Sequence, residues 1–266
     1  MKHASLLLIV ILATFLTITQ PVQAVSLPVL STFDADTPGL PPTTGGLNQP
    51  TGIVVSPNGS VLVQSFANGI NTQPVVLSAD ASGQFMDVFY SFPSIQSLRA
   101  EATISFNRFF DGYFLQTAVF SSGAVVTRLL VTSSGKIEAE NRLQTNRPII
   151  GSYTPNEPFR VRLDIDLPNS TWSFVEDTQF NGFLDDSVFS NLPFTNDLNV
   201  IPSIGSVNAS LSVFPTPPFG VLTTVAYDNI LIEPLSQPIP EPSTMLLLGS
   251  GLIGLAGYGR KKFFKK

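Results

Sequence analysis

Cysteine is absent from this chain of 266 residues, and the one histidine is His3. The lack of cysteine excludes disulfides, thiol catalysis and thiolate metal sites. Because His3 lies in an apolar leader, the rest of the chain lacks the histidine that Ser-His-Asp triads, Cys-His pairs and His-ligated zinc or iron sites need. Catalysis in the body would therefore have to rest on carboxylates, lysine, arginine or tyrosine.

Basic residues are scarce between Val25 and Ile239. This segment holds eight Lys or Arg against 18 Asp or Glu, a net charge of −10. Phosphate contacts need Lys and Arg, so nucleic acid is excluded as a partner, and anionic lipid surfaces would repel the segment. Divalent cations and neutral sugars are the more natural partners.

Helical periodicity is hard to find, whereas alternation of apolar and polar residues is common. Over residues 159–167, apolar side chains alternate with two arginines and two aspartates, which predicts a half-buried strand. Ten or more strands separated by glycine-containing turns predict an all-β antiparallel sandwich or jelly roll. The other predicted strands cover residues 60–66, 84–90, 99–107, 113–120, 125–132, 136–140, 171–176, 206–214 and 223–233.

The first 24 residues have the pattern of a secretory signal peptide. Lys2 supplies the positive start, residues 4–18 are apolar and uncharged, and small side chains precede the predicted cleavage after Ala24. The partners implied are the secretion translocon and signal peptidase. A retained membrane anchor is the alternative interpretation.

The C-terminal end combines a proline-rich linker, an apolar run and a basic tail. The linker covers residues 234–243, the glycine-rich run covers 244–259 and the tail covers 260–266. With its flanking residues the run approaches the length of a membrane span, which predicts a transmembrane helix; a buried core helix is the alternative. Lys and Arg resist translocation, so the tail would stay cytoplasmic and the body outside. The linker ends in Pro240, Glu241, Pro242 and Ser243, and the basic side chains are Arg260, Lys261, Lys262, Lys265 and Lys266.

This order of Pro-Glu-Pro, apolar run and basic tail resembles the PEP-CTERM sorting signal of Gram-negative bacteria. The resemblance implies that an exosortase-type transpeptidase recognises the chain and cuts it near Pro240 to Ser243. The protein would be anchored in the inner membrane with its body in the periplasm, and then reach the cell surface or the extracellular matrix. Proteins with this signal are linked to exopolysaccharide and biofilm matrices.

The body, residues 25–233, resembles concanavalin A-like and laminin G-like domains. Four stretches carry the likeness, and they are residues 31–42, 150–159, 171–182 and 226–232. The resemblance implies that the first and last strands are neighbours, which would gather carboxylate and amide oxygens, the ligands that Ca²⁺ prefers. Turn and bulge positions are the alternative for these residues. The candidate calcium ligands are Asp34, Asp36, Asp228 and Asn229.

Two further groups of side chains suggest sugar chemistry. Asp164 and Asp166 share one strand face, as the paired carboxylates of a glycoside hydrolase might, but the adjacent arginines favour a solvated face with cross-strand ion pairs. Aromatic side chains can stack on sugar rings, although a core position is the alternative for the tryptophan. The candidate platform residues are Trp172, Tyr113, Tyr153 and Tyr227.

Three functions stay open from the sequence. The first is a non-enzymatic exported sandwich without a cofactor, which binds polysaccharide or serves as a matrix component. The second is a carbohydrate-active enzyme on the same fold, and the third is an adhesion module with a protein partner.

Overall fold

The computed structural model describes residues 27–80, 84–119, 124–140, 147–184, 186–196, 203–214 and 221–235. The predicted signal peptide with Ala24, the Pro240 to Ser243 motif, the apolar run and the basic tail lie outside these ranges. The regular elements of the described residues are β-strands. In these ranges no helix has the length and apolar character needed to cross a membrane.

Fifteen strands make up the described part of the chain. They are β1 (Val29–Ser31), β2 (Gly52–Val55), β3 (Ser60–Val63), β4 (Val75–Ala79), β5 (Phe85–Ile95), β6 (Ser97–Phe106), β7 (Asp111–Ala118), β8 (Val125–Val131), β9 (Lys136–Ala139), β10 (Ile149–Ser152), β11 (Phe159–Asp166), β12 (Thr171–Asp177), β13 (Val188–Phe189), β14 (Ile204–Phe214) and β15 (Thr223–Pro234).

The strands form two sheets in which neighbouring strands are antiparallel. One sheet has eight strands in the order β13-β12-β11-β6-β15-β4-β3, with β1 paired to β15; the other has seven in the order β10-β9-β8-β7-β14-β5-β2. The predicted antiparallel sandwich is confirmed, and each of the ten predicted strands has a counterpart. The neighbourhood of the first and last strands is also confirmed, because Val29 pairs with Ile232.

The core lies between the two sheets and follows from the alternation of the strands. In β11 the side chains of Phe159, Val161, Leu163 and Ile165 are buried, while the intervening charged side chains are half-buried on the outer face. Phe106 of β6 meets Phe114 of β7 edge to face across the sandwich, with ring centroids 5.3 Å apart. Buried aromatic pairs of this kind contribute about 0.5–1.5 kcal/mol beyond their area.

Three of the four predicted platform residues belong to this core, so the platform prediction is wrong for them. Trp172 is 1% exposed, Tyr227 is 0% and Tyr153 is 5%, and a ring without a solvent-facing surface cannot stack on a sugar. Their polar atoms serve the backbone instead. The Trp172 indole N–H donates to the carbonyl of Pro193 at 2.9 Å, and the Tyr227 hydroxyl donates across the sandwich to backbone carbonyls of the seven-stranded sheet.

The sandwich ends where β15 ends. Leu235 is the last residue that the structure describes.

Candidate functional site

Tyr113, the fourth predicted platform residue, is half-buried on the outer face of the seven-stranded sheet. Strand pairing places it in line with two neighbours, because Ser212 of β14 lies opposite Tyr113 on one side and opposite Phe85 of β5 on the other. The ring centroids of Tyr113 and Phe85 are 6.1 Å apart. Phe214, at the end of β14, adds a third ring 5.4 Å from Tyr113 and is 43% exposed. Phe85, Tyr113 and Phe214 are called the aromatic row below.

The aromatic row borders a line of small side chains. Between Ser206 and Ser212 the outward residues of β14 are three serines and Asn208, whereas the inward residues are apolar and buried. Ser210 and Ser212 are buried although they point away from the core, because they are shorter than the neighbouring side chains on β5 and β7. On the β5 side the ring of Phe89 lies over Gly52, where a Cβ atom would come within 2.5 Å of the ring. The result is a strip of short polar groups between aromatic flanks.

Arg128 of β8 links the aromatic row to the polar groups beside it. Its guanidinium carbon lies 4.6 Å from the centre of the Tyr113 ring, a cation–π geometry. The same guanidinium donates to Gln116 at 3.2 Å and to the buried carboxylate of Glu140 at 2.9 Å. A network of this kind fixes the orientation of each member, so the Tyr113 ring is held in place.

Asp87 lies on the opposite side of the small strip and is 3% exposed. Burial raises the pKa of its carboxyl from 3.8 to about 7, while hydrogen bonds from Ser210 and Asn208 and the charge of Arg128 offset part of that rise. The Asn208 amide donates to the carboxylate at 3.1 Å, and the Ser210 hydroxyl donates to its other oxygen. A carboxyl that titrates near neutral pH between aromatic flanks is typical of a functional site.

Asn208 also carries an unused acceptor. Its side-chain oxygen is buried and has no hydrogen-bond partner among the described residues. A buried acceptor without a donor costs about 1–3 kcal/mol, so a donor that reaches the strip would stabilise the protein. The strip and the row thus offer donors in Arg128 and Gln116 and apolar ring faces, whereas the Asn208 oxygen is closed to solvent.

Two of the four candidate calcium ligands, Asp36 and Asp228, already accept hydrogen bonds from the protein. The carboxylate of Asp36 accepts the backbone N–H and the hydroxyl of Thr43, at 2.9 and 2.6 Å, and so closes a turn. Asp228 is buried and accepts the hydroxyl of Thr72 and the backbone N–H of Asn229. Asp34 is close enough to Asp228 for its charge to raise the pKa of the Asp228 carboxyl, which burial already raises. Within the described ranges, no group of three or more acidic residues is arranged to hold a metal.

The two aspartates of β11 take part in structural interactions. Asp164 accepts Arg99 from β6 at 2.7 Å and lies 3.5 Å from the guanidinium of Arg162. Asp166 accepts the hydroxyl of Ser97 at 3.2 Å and the amide of Asn169 at 2.6 Å. The cross-strand ion pairs that the adjacent arginines suggested are therefore present.

Sequence patterns missed most of the site on the seven-stranded sheet. The missed residues are Phe85, Asp87, Gln116, Arg128, Asn208 and Phe214. One signal was available, since the polar residues of the alternating strand 206–214 are all short, which is unusual for a solvent-exposed face. The row itself depends on the registers of β5, β7 and β14, which lie far apart in the chain.

Comparisons with known proteins concern the C-terminal motif and the fold of the body. Residues 238–261 match the PEP-CTERM protein-sorting motif. Among solved structures, the chain is similar to a sialidase at 12% identity and a TM-score of 0.57, over 80% of this chain and 19% of that one. It is also similar to the lectin UEA-II, solved in complex with galactose, at 12% identity and a TM-score of 0.50, over 77% of this chain and 98% of the lectin. A search of curated proteins gives no match.

These findings confirm both resemblances. The chain carries a PEP-CTERM sorting motif, which implies export, processing by an exosortase and sorting to the cell envelope. Its body has a concanavalin A-like sandwich fold, which it shares with the matched part of the sialidase and with the lectin UEA-II. The chain spans about a fifth of the length of the sialidase that it matches.

Proposed function

We propose that this chain is an exported, C-terminally sorted component of a Gram-negative cell surface or extracellular matrix whose sandwich binds neutral polysaccharide. The C-terminal run would hold it in the inner membrane until an exosortase releases it into an exopolysaccharide or biofilm matrix. The observation that best supports sugar binding is the aromatic row beside the polar strip of β14. A pyranose ring needs an apolar face to stack on and nearby donors and acceptors for its hydroxyls, and the row and strip supply these groups together.

The charge of the site favours an uncharged sugar. The body carries a net charge of −10 over residues 25–239, which repels polyanions at low salt. Arg128 is already paired with Glu140, so it offers no free cation for a uronate or a sulfate. Its remaining N–H groups can still donate to hydroxyls.

In this proposal the body is not an enzyme. Asp164 and Asp166 are engaged with basic and polar partners on the eight-stranded sheet, and residues 25–239 contain no histidine or cysteine. Incubation with neutral polysaccharides should therefore release no new reducing ends. If new reducing ends appear, and the Asp164→Asn/Asp166→Asn double variant no longer releases them, the proposal is wrong and the body is a hydrolase.

Binding is tested with the full-length protein in a detergent without a sugar head group, titrated with neutral hexasaccharides of glucose, mannose and galactose. Tyr113→Leu should weaken binding about tenfold, because one lost stacking contact is worth on the order of 1.4 kcal/mol. Phe66→Ala is the matched control, since Phe66 is 73% exposed and lies outside the row. Unchanged affinity in a folded Tyr113→Leu variant would reject the site.

Sorting is tested separately in the native host. Replacing Pro240, Glu241 and Pro242 by alanine should leave full-length protein in the inner membrane, because the processing enzyme loses its recognition sequence. Pro234→Ala, upstream of the matched motif, is the control and should leave release unchanged. Release of the triple variant at the normal rate would contradict the sorting proposal.

A further inference from the structure

A cleft of about 510 Å³ opens on the outer face of the eight-stranded sheet, which lies on the other side of the core from the aromatic row. Glu101 and Thr103 of β6 line it, with Arg160 of β11 and Leu231 of β15 on either side. Phe180, which follows β12, borders it on the β11 side. Its volume is in the range of sites that take small ligands, about 300–1,000 Å³.

The floor of the cleft carries one ion pair that is only partly accessible. The Arg160 guanidinium donates to the Glu101 carboxylate at 3.1 Å, and the Glu101 side chain is 13% exposed. Burial raises the pKa of Glu101, although Arg160, Arg162 and Arg99 act against it. The pair is neutral as a unit and presents acceptors and donors side by side. Two adjacent hydroxyls of a sugar can use both at once.

Some of the side chains that line the cleft are apolar and open to solvent. Phe180 is 47% exposed and Leu30 is 50% exposed, and the buried Ile70 also lines the cleft. Exposed apolar groups that border a polar floor mark a binding site more often than a bare surface. The phenyl ring of Phe180 is the one aromatic ring among the side chains that line the cleft.

A buried carboxylate holds the Phe180 wall in place. Asp177 is 0% exposed and accepts backbone N–H groups from Gln179, Asn181 and Gly182 at 3.0 to 3.3 Å. Phe180 adopts φ of 56°, which costs a residue with a bulky side chain of order 1 kcal/mol or more. The interactions of Asp177 maintain this conformation, and so the ring is presented rigidly at the edge of the cleft.

A second buried carboxylate holds the opposite rim. Asp228 is 1% exposed and accepts the hydroxyl of Thr72 together with the backbone N–H of Asn229. Thr72 and Asn229 both line the cleft, and both are solvent-exposed. Each of these two sides of the cleft is therefore held by a buried carboxylate that the ligand would not contact. Because the side chains are already ordered, the entropic cost of binding is lower.

We propose that this cleft is a second site for a neutral sugar unit, which makes the domain bivalent for polysaccharide. The sugar would stack on Phe180, and its hydroxyls would bridge Glu101 and Arg160. An anionic ligand is disfavoured because Arg160 already faces Glu101 and lies 4.0 Å from the carboxylate of Asp177. This inference rests on the glycan-binding part of the proposed function, but on residues from a different face of the molecule.

The test is the number of neutral hexasaccharides bound per chain, measured by calorimetry on the full-length protein in a detergent without a sugar head group. The wild type should bind two, and Phe180→Ala should bind one with the affinity of the remaining site unchanged. Tyr113→Leu should also bind one, and the double variant should bind none. Glu101→Gln keeps a side chain of the same size and should weaken the cleft site at least tenfold. Phe66→Ala is again the control, and hexagalacturonic acid is the charged probe.

Each result decides between the two sites. Two ligands bound by a folded Phe180→Ala variant, or an unaltered cleft site in Glu101→Gln, would overturn the cleft proposal and leave the aromatic row intact. Two ligands bound by Tyr113→Leu and one by Phe180→Ala would support the cleft and reject the aromatic row. Absence of binding in the wild type, or preference of the cleft for hexagalacturonic acid, would also overturn the inference.

Discussion

The two outer faces of the sandwich each carry an arginine–carboxylate pair, and the two pairs differ in their exposure to water. On the seven-stranded sheet, the carboxylates of Asp87 and Glu140 are almost fully buried beside aromatic rings. On the eight-stranded sheet, Arg99 and Asp164 form a partly exposed pair, with side chains 33% and 20% exposed. The electrostatic energy of a pair depends on its access to water, so the pair of Arg128 and Glu140 should respond more strongly to loss of its arginine than the pair of Arg99 and Asp164.

The largest difference is expected from removing the arginine of one pair on each face. Arg128→Gln leaves the buried Glu140 carboxylate unpaired and should cost roughly 3–5 kcal/mol of unfolding free energy. Arg99→Gln removes a partly exposed pair and should cost less than about 1 kcal/mol. Chemical denaturation of both variants checks this, and equal losses would mean that the two faces do not differ in this way.

The next largest effect is expected on the eight-stranded face, where a buried carboxylate serves the backbone. Asp177→Ala leaves the loop N–H groups of residues 179–183 without their acceptor and should cost about 3 kcal/mol. Hydrogen bonds of these N–H groups hold the pKa of Asp177 below its ordinary value, against the raising effect of burial. Hydrogen exchange should become faster in this loop and stay unchanged in β14. Unaltered protection of the loop would contradict this role of Asp177.

The smallest effect is the part of the pH dependence that comes from Asp87 on the seven-stranded face. The folded pKa of Asp87 is about 7 against an ordinary value of 3.8, so between about pH 4 and pH 7 the folded state keeps a proton that the unfolded chain has lost. Stability should therefore fall as pH rises through this window, by roughly 2 kcal/mol between pH 5 and pH 8.

Asp87→Asn should remove that part of the slope and raise stability at pH 8. Denaturation curves at several pH values measure it. Some slope will remain, because burial also raises the pKa of Glu176 to about 7. An unchanged slope in Asp87→Asn would show that Asp87 is ionised throughout the window in the folded protein.

The fold was largely predictable because the alternation of apolar and polar residues along a long strand shows which of its side chains are buried. The predicted strand 159–167 is observed as β11, and 125–132 as β8. The strands that escaped prediction include β2, β10 and β13, which have four, four and two residues. Segments of that length show too few alternations to reveal a period, and their pairing depends on longer neighbours.

The candidate site was much harder to predict, because it arises from register rather than from local pattern. Trp172 and Tyr113 are both aromatic residues in predicted strands, yet one is in the core and the other on the surface. The pairing of β7 with β8 shifts register next to Tyr113. Counting alternate residues along the strand therefore does not show which face of the sheet the Tyr113 ring lies on. Phe85 and Tyr113 meet only because both lie opposite Ser212.

The most direct test of the account is a residue-by-residue map of where a neutral hexasaccharide meets the mature protein in solution, by NMR shifts of the backbone amides. Sugar binding at the aromatic row should shift the amides of Tyr113, Asn208 and Phe214, and these shifts should disappear in Tyr113→Leu while the rest of the spectrum is kept. A bound sugar that leaves these residues unshifted, or no binding at saturating concentration, would contradict it.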